Sequence, residues 1–237
     1  MKVVGIDVGP GKGAHICEDG SQLRKMKPAD LDIYLKGLPN DVLVAWDAPL
    51  TGPPDPEVWT GGRDLTMREI ERFFGRSGSC PAPNGISVRP YCGCPHWTIS
   101  RRLLGLPRVG PYDVAGKLPF ALASDDRNRP SKGRYVVEVH PAVALWRWCS
   151  GDYPGPWKYK KDKKCLKKLR ELMSRRAGKL LSDICDDDEL DAWTGWYLAR
   201  CWLDRNGVML LGNAKTGSFL LPDQSKLREK FEQFVFS

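Results

Sequence analysis

Three short runs of strand-forming residues each carry a carboxylate, and this narrows the fold more than any other feature of the chain. They are Val3-Val4-Gly5-Ile6-Asp7, Val42-Leu43-Val44-Ala45-Trp46-Asp47 and Tyr135-Val136-Val137-Glu138-Val139. An acid among strand apolars is costly to bury unless something positive meets it. A fourth segment, Asp188-Glu189-Leu190-Asp191-Ala192-Trp193, sets two carboxylates three residues apart near the start of an expected helix. Residues i and i+3 share a helical face. Acids drawn from such distant segments point to a divalent-cation site if the fold gathers them.

The rest of the pattern supplies a frame for that gathering. Residues 3–8 alternate as a strand does. Pro10-Gly11-Lys12-Gly13 reads as a turn, with Ala14 to Glu18 returning and a third strand after Asp19-Gly20. Helical spacing of Leu31, Tyr34, Leu35 and Leu38 predicts a helix over 28–38, and Asp41 to Trp46 is a buried strand. From about 53 to 132 the chain is rich in Pro, Gly and Arg, an insertion with one helix expected over 64–74. The Glu138 strand follows, then a helix from Pro141. A basic amphipathic helix carries Leu166, Leu169, Met173 and Leu180 on one stripe. The acidic helix covers about 187–203, with Ala192, Gly195 and Ala199 as small residues that allow close approach to a sheet. A hairpin of 209–211 with 218–221 and a last helix bearing Leu227, Phe231 and Phe234 close the chain. This order predicts an α/β fold in one domain over 1–237. Its central sheet is mixed and flanked by helices: three antiparallel strands, then parallel ones, with the insertion after the fourth strand.

Charge is concentrated. Of the net +8, residues 158–179 contribute +9, with eleven Lys/Arg against two Asp/Glu. Such a local excess points to one anionic partner surface; nucleic acid fits it, and so would an acidic membrane or simple solubility. No segment approaches the roughly 20 apolar residues a membrane span needs. The opening residues run straight into a strand pattern, and the eight cysteines are scattered. Both features predict a cytoplasmic protein with reduced thiols and no membrane partner. They name no protein partner.

Hydrolysis of a phosphodiester needs an activated water, a stabilised leaving oxygen and in-line geometry. Two Mg²⁺ or Mn²⁺ ions can supply all three, and Mg²⁺ prefers hard oxygen ligands. The candidate catalytic and metal-binding residues are therefore Asp7, Asp47, Glu138, Asp188 and Asp191. In this reading Asp7 bridges two ions, Asp47 and Asp191 each hold one, and Glu138 or Asp188 completes or orients the shell. Lys12, Arg63, Arg68, Lys160, Lys161, Lys164 and Lys168 are candidate phosphate contacts. Each has a plainer explanation: Asp186 and Asp187 suit a helix N-terminus, the arginines a solvated face, and His140, near Glu138, a structural histidine. Cys80, Cys92, Cys94 and His96 are a weak zinc set, because Cys92-Gly93-Cys94 is too short a spacing.

These residues carry a resemblance. Gly5-Ile6-Asp7-Val8-Gly9, the Val-Ala-Trp-Asp strand and Asp-Glu-Leu-Asp-Ala resemble the ribonuclease H-like superfamily, especially its RuvC-like branch. Asp47-Ala48-Pro49-Leu50, Arg63-Asp64 with Arg68, Glu138-Val139-His140-Pro141-Ala142 and the Asp188-to-Ala192 string resemble, more closely, a domain-of-unknown-function family of predicted ribonuclease H-like nucleases (DUF429). The resemblance implies metal-dependent cleavage of nucleic acid. The chain departs from the pattern by Asp rather than Glu at position 47 and by its long Cys- and Arg-rich insertion. Two other functions fit parts of the pattern. One is an actin-like ATPase or phosphotransferase, whose phosphate loops also begin Gly-Ile-Asp-Val-Gly. The other is a nucleic-acid-binding module without turnover.

Overall fold

The computed structural model describes residues 1–9, 13–51, 67–88, 103 and 120–236. The fold is α/β, built on a mixed six-stranded sheet in the order β3-β2-β1-β4-β6-β5. Strands β1 (Lys2–Gly9), β2 (Gly13–Glu18) and β3 (Gln22–Met26) form the antiparallel start. Helix α1 (Pro28–Gly37) leads to β4 (Val42–Asp47), which pairs with β1 in parallel. Strand β6 (Arg134–Glu138) runs parallel to β4, and the two-residue β5 (Ala121–Leu122) runs parallel to β6. Two residues carry no periodicity, so β5 has no signal in the sequence. The outer strand β3 presents charged Arg24 and Lys25 to solvent, which discourages pairing with another edge.

Strand alternation sorts the apolar residues onto two faces. Val4, Ile6, Val8, Ile16, Val42, Val44, Trp46 and Val136 pack with Leu31, Leu35 and Leu38 on the α1 side. Val3, Cys17, Leu43, Ala45 and Val137 face the other way, toward Leu190, Ala192, Trp193, Leu198 and Trp202 of α5 (Asp187–Leu203). The small residues do what their size allows. A Cβ on Gly5 would lie 2.1 Å from the Ala192 carbonyl oxygen, so β1 and α5 touch backbone to backbone. A Cβ on Gly195 would lie 3.3 Å from Val139 Cγ2.

The remaining elements buttress that face. They are α2 (Glu69–Phe74), α3 (Pro141–Cys149), α4 (Lys163–Ala177), the hairpin β7 (Val208–Asn213) with β8 (Gly217–Pro222), and α6 (Ser225–Phe236). A parallel bridge between Val139 and Leu220 joins the hairpin to the main sheet. Two expectations need correction. Helix α2 begins at Glu69, because Arg68 is its N-cap in extended backbone; residues 64–66 lie outside the described residues. Leu180 is not on the α4 stripe: Gly178 in left-handed backbone ends that helix, and Leu180 is 78% exposed. Cys165, Leu169, Leu172 and Met173 form the buried stripe instead. Among the described residues no helix is long and apolar enough to cross a membrane, and the six described cysteines are free.

Candidate metal centre

Asp7 and Asp47 are register partners at the carboxyl ends of adjacent parallel strands, about 4.8 Å apart as strands are. Ligand sites in parallel sheets gather at this end. Both acids share the sheet face that carries Gly5 and Ala45, against which α5 lies. The first turn of α5 is built to spend some of its acids on itself. Asp186 caps it by accepting from Glu189 N at 2.8 Å, and Glu189 accepts in turn from Cys185 N at 2.6 Å. Asp188 and Asp191 remain, one helical turn apart and turned to the strand acids. Asp7 is 8% exposed and Asp191 1%.

Crowding of like charge dominates the electrostatics. Burial raises Asp7 well above the usual carboxylate range, and Asp47 and Asp191 push it further. Burial, then Asp191, carries Asp47 up to about 8. Burial also raises Asp191, against the pull of Lys160 and Tyr159. Those two neighbours in sequence grip Asp191 from one side. The Tyr159 hydroxyl donates to its Oδ1 at 2.6 Å, and Lys160 Nζ lies 2.7 Å from its Oδ2.

The cluster also holds a residue that the sequence reading missed. His15 on β2 is the cross-strand partner of Asp7 and is 6% exposed. Ligand atoms of Asp7, His15 and Asp188 all lie within 4.8 Å of one another, and His15 Nδ1 is 3.8 Å from Asp188 Oδ2. The signal was present. A hairpin pairing Gly9 with Gly13 necessarily sets residue 15 opposite residue 7.

Glu138 sits differently. Its register partner is Trp46, so it belongs to the opposite sheet face from Asp47. There it meets Arg68. The guanidinium donates from Nη1 to Oε2 at 2.8 Å and from Nη2 to Oε1, while Leu50 N donates to Oε2 at 2.9 Å. Arg68 also pairs with Glu71 and donates to the Thr51 carbonyl at 3.0 Å. Burial raises Glu138 and Arg68 lowers it. The paired carboxylates hold the Arg68 guanidinium firmly charged against its own burial. Arg68 is thus a buried counter-ion, not a solvated one, whereas Arg72 pairs with Glu69 on the surface.

A cavity of about 850 Å³ opens over both acid groups. Asp7, Asp47, Glu138, Asp188 and Asp191 line one part, and Ile86, Val88, Val139, Ala142 and Phe219 give it an apolar wall. His140 lines it too; burial, then Lys160, lowers its imidazole to about 4, leaving it neutral at ordinary pH. Among the described lining residues the cations are Lys158, Lys160 and Lys161. Lys164 and Lys168 lie on α4, the first exposed and the second half-buried. Lys12 and Arg63 lie outside the described residues, as do Cys92, Cys94 and His96 of the zinc set. Cys80 is half-buried and accepts from Arg147 Nη1 at 3.7 Å.

The model of a family described as "Protein of unknown function (DUF429)" matches residues 5–216. The chain belongs to this family. The match runs from β1 through the hairpin turn before β8, and so takes in every acid of the cluster. No curated protein and no solved structure matches the chain.

Proposed function

We propose that the chain is a divalent-metal-dependent hydrolase of nucleic-acid phosphodiesters on a ribonuclease H-like scaffold. The observation that carries this reading is the convergence of Asp7, Asp47, Asp188, Asp191 and His15 at the carboxyl end of β1 and β4, with Lys160, among the described residues, as the lysine paired there. The sheet order and the late helix bearing the Asp-x-x-Asp pair also support it. The donor set fits the group. Carboxylate oxygens suit Mg²⁺ and Mn²⁺, and an imidazole nitrogen from His15 favours the softer Mn²⁺.

Asp7, His15 and Asp188 would hold such an ion, which supplies a Lewis acid for a phosphoryl oxygen and acidifies a bound water. Asp47 extends the carboxylate floor beside Asp7, and once ionised it serves as a proton acceptor there. Lys158 and Lys161 at the cavity hold phosphate as mobile point charges. The outer face of α4, with Lys163, Lys164 and Lys167 exposed, prolongs that positive surface along a strand. The wall of Ile86, Val88 and Ala142 excludes water and receives the flat apolar face of a base.

The test is cleavage of labelled single- and double-stranded DNA and RNA with and without Mn²⁺. The reading expects turnover that EDTA abolishes and that Asp7→Asn lowers by about a thousandfold, close to 4 kcal/mol of transition-state stabilisation. An Asp7→Asn protein that cuts as well as the parent overturns it. Metal-independent affinity for nucleic acid with no cleavage under any metal favours a binding module.

A further inference from the structure

We infer that the Lys160 ammonium takes the place of a second divalent ion, so that the centre holds one ion where the sequence led us to expect two. The inference rests on the proposed metal site and concerns its other half. With Asp7, His15 and Asp188 as one ligand group, a second ion would have to lie between Asp47 and Asp191. That place already holds a positive charge. Lys160 Nζ stands 2.7 Å from Asp191 Oδ2, and Asp47 and Asp7 also attract it. An ion on the same carboxylate would put two further positive charges a few ångströms from the ammonium, and the two would repel each other.

The Lys160 side chain is 49% exposed, but its backbone and its position beside Asp191 are fixed by several contacts. Its backbone lies in a turn closed by Lys161 N and Asp162 N, both donating to the Lys158 carbonyl at 2.8 and 2.9 Å. Asp162 then caps α4 by accepting from Lys164 N at 2.8 Å. On the other side Tyr159 anchors the same turn to Asp191 through its buried hydroxyl. The turn therefore delivers two adjacent side chains to one carboxylate. Asp191, Asp47 and Asp7 all favour the charged amine.

The chemistry follows from a fixed ammonium opposite a single ion. In a two-ion centre the ions stand about 3.5–4 Å apart and flank the scissile phosphate. Here one flank is a lysine. Its N–H groups donate to the phosphate oxygen that gains charge as the ester bond breaks, and no second metal is consumed in the balance. Lys160 becomes a catalytic residue on this account, which sets it apart from the lysines that only hold the strand.

Mn²⁺ titration of the full chain, read by calorimetry and by electron paramagnetic resonance, decides it. The wild-type chain is expected to bind one Mn²⁺ with the spectrum of an isolated ion. Lys160→Met removes the charge at similar length; it is expected to bind two, with the dipolar broadening of a close pair. Lys160→Arg should stay at one. Two ions in the wild type overturn the inference, whether or not the variants fold. A single ion in a Lys160→Met protein that melts as the wild type does overturns it as well. No ion in the wild type brings down the metal reading itself, and the inference with it.

Discussion

Two groups of acids, buried or half-buried, stand at the same end of the same sheet and are solved in opposite ways. Glu138 and Glu71 share Arg68, and each is further tied to backbone N–H groups, Leu50 N for Glu138 and Arg68 N for Glu71. The group is closed. On the α5 face Asp7, Asp47 and Asp191 share Lys160, Asp188 faces His15, and burial with mutual repulsion holds Asp7 and Asp47 high. A buried acid is not in itself a sign of a site. What distinguishes the second group is the size of the shortfall, four carboxylates about one lysine where Arg68 faces two, and a shortage of that kind is met by an ion or by protons.

The contrast is strongest at Arg68. Arg68→Ala strands two buried carboxylates, and such a loss costs about 3–5 kcal/mol. Urea unfolding should show it; a change below about 1 kcal/mol would mean that the closed group is not closed. A smaller effect comes from the contact that brings the open group together. Gly5→Ala forces a methyl against the Ala192 carbonyl, an overpacking worth about 1–3 kcal/mol. Because α5 carries Asp188 and Asp191, Mn²⁺ affinity should fall along with stability. Unchanged affinity in a destabilised variant would separate packing from the site.

The smallest effect is read against pH. With Asp47 raised to about 8, the folded chain keeps a proton that the unfolded chain has already released from about pH 4 upward. Unfolding free energy of the metal-free protein should therefore drop as pH rises through this window. Asp7, a ligand of the proposed ion, is raised as well; its proton must leave for the ion to bind, so apparent Mn²⁺ affinity should climb with pH by up to about tenfold per unit. A flat profile over pH 6–8 would show that Asp47 is ionised throughout, and the contrast between the two groups would shrink.

Much of this was legible in advance. Asp7, Asp47 and the pair on α5 announce themselves because each breaks a run of apolar or helical periodicity. The strand order follows from the hairpin and the alternation of strands with helices. Arg68 was visible but its role was not, since a position just before a short helix gives no sign of its depth. The facing of Glu138 depends on a register slip of one residue relative to Asp47, which no local pattern encodes. His15 needed the hairpin register to be carried through to its partner across the turn. Lys160 was hidden by its neighbours: in a run of lysines, composition cannot tell the one that turns inward.

The backbone contact between Gly5 and Ala192 ties the start of the chain to a helix near its end. No ribosome-bound fragment that lacks the last quarter of the protein can assemble the centre. Until α5 arrives, the first strands must hold their carboxylates toward water. Contacts of such long range are slow to form, because most of the chain's freedom is surrendered before they repay it. The acid cluster is thus completed late in the protein's own folding.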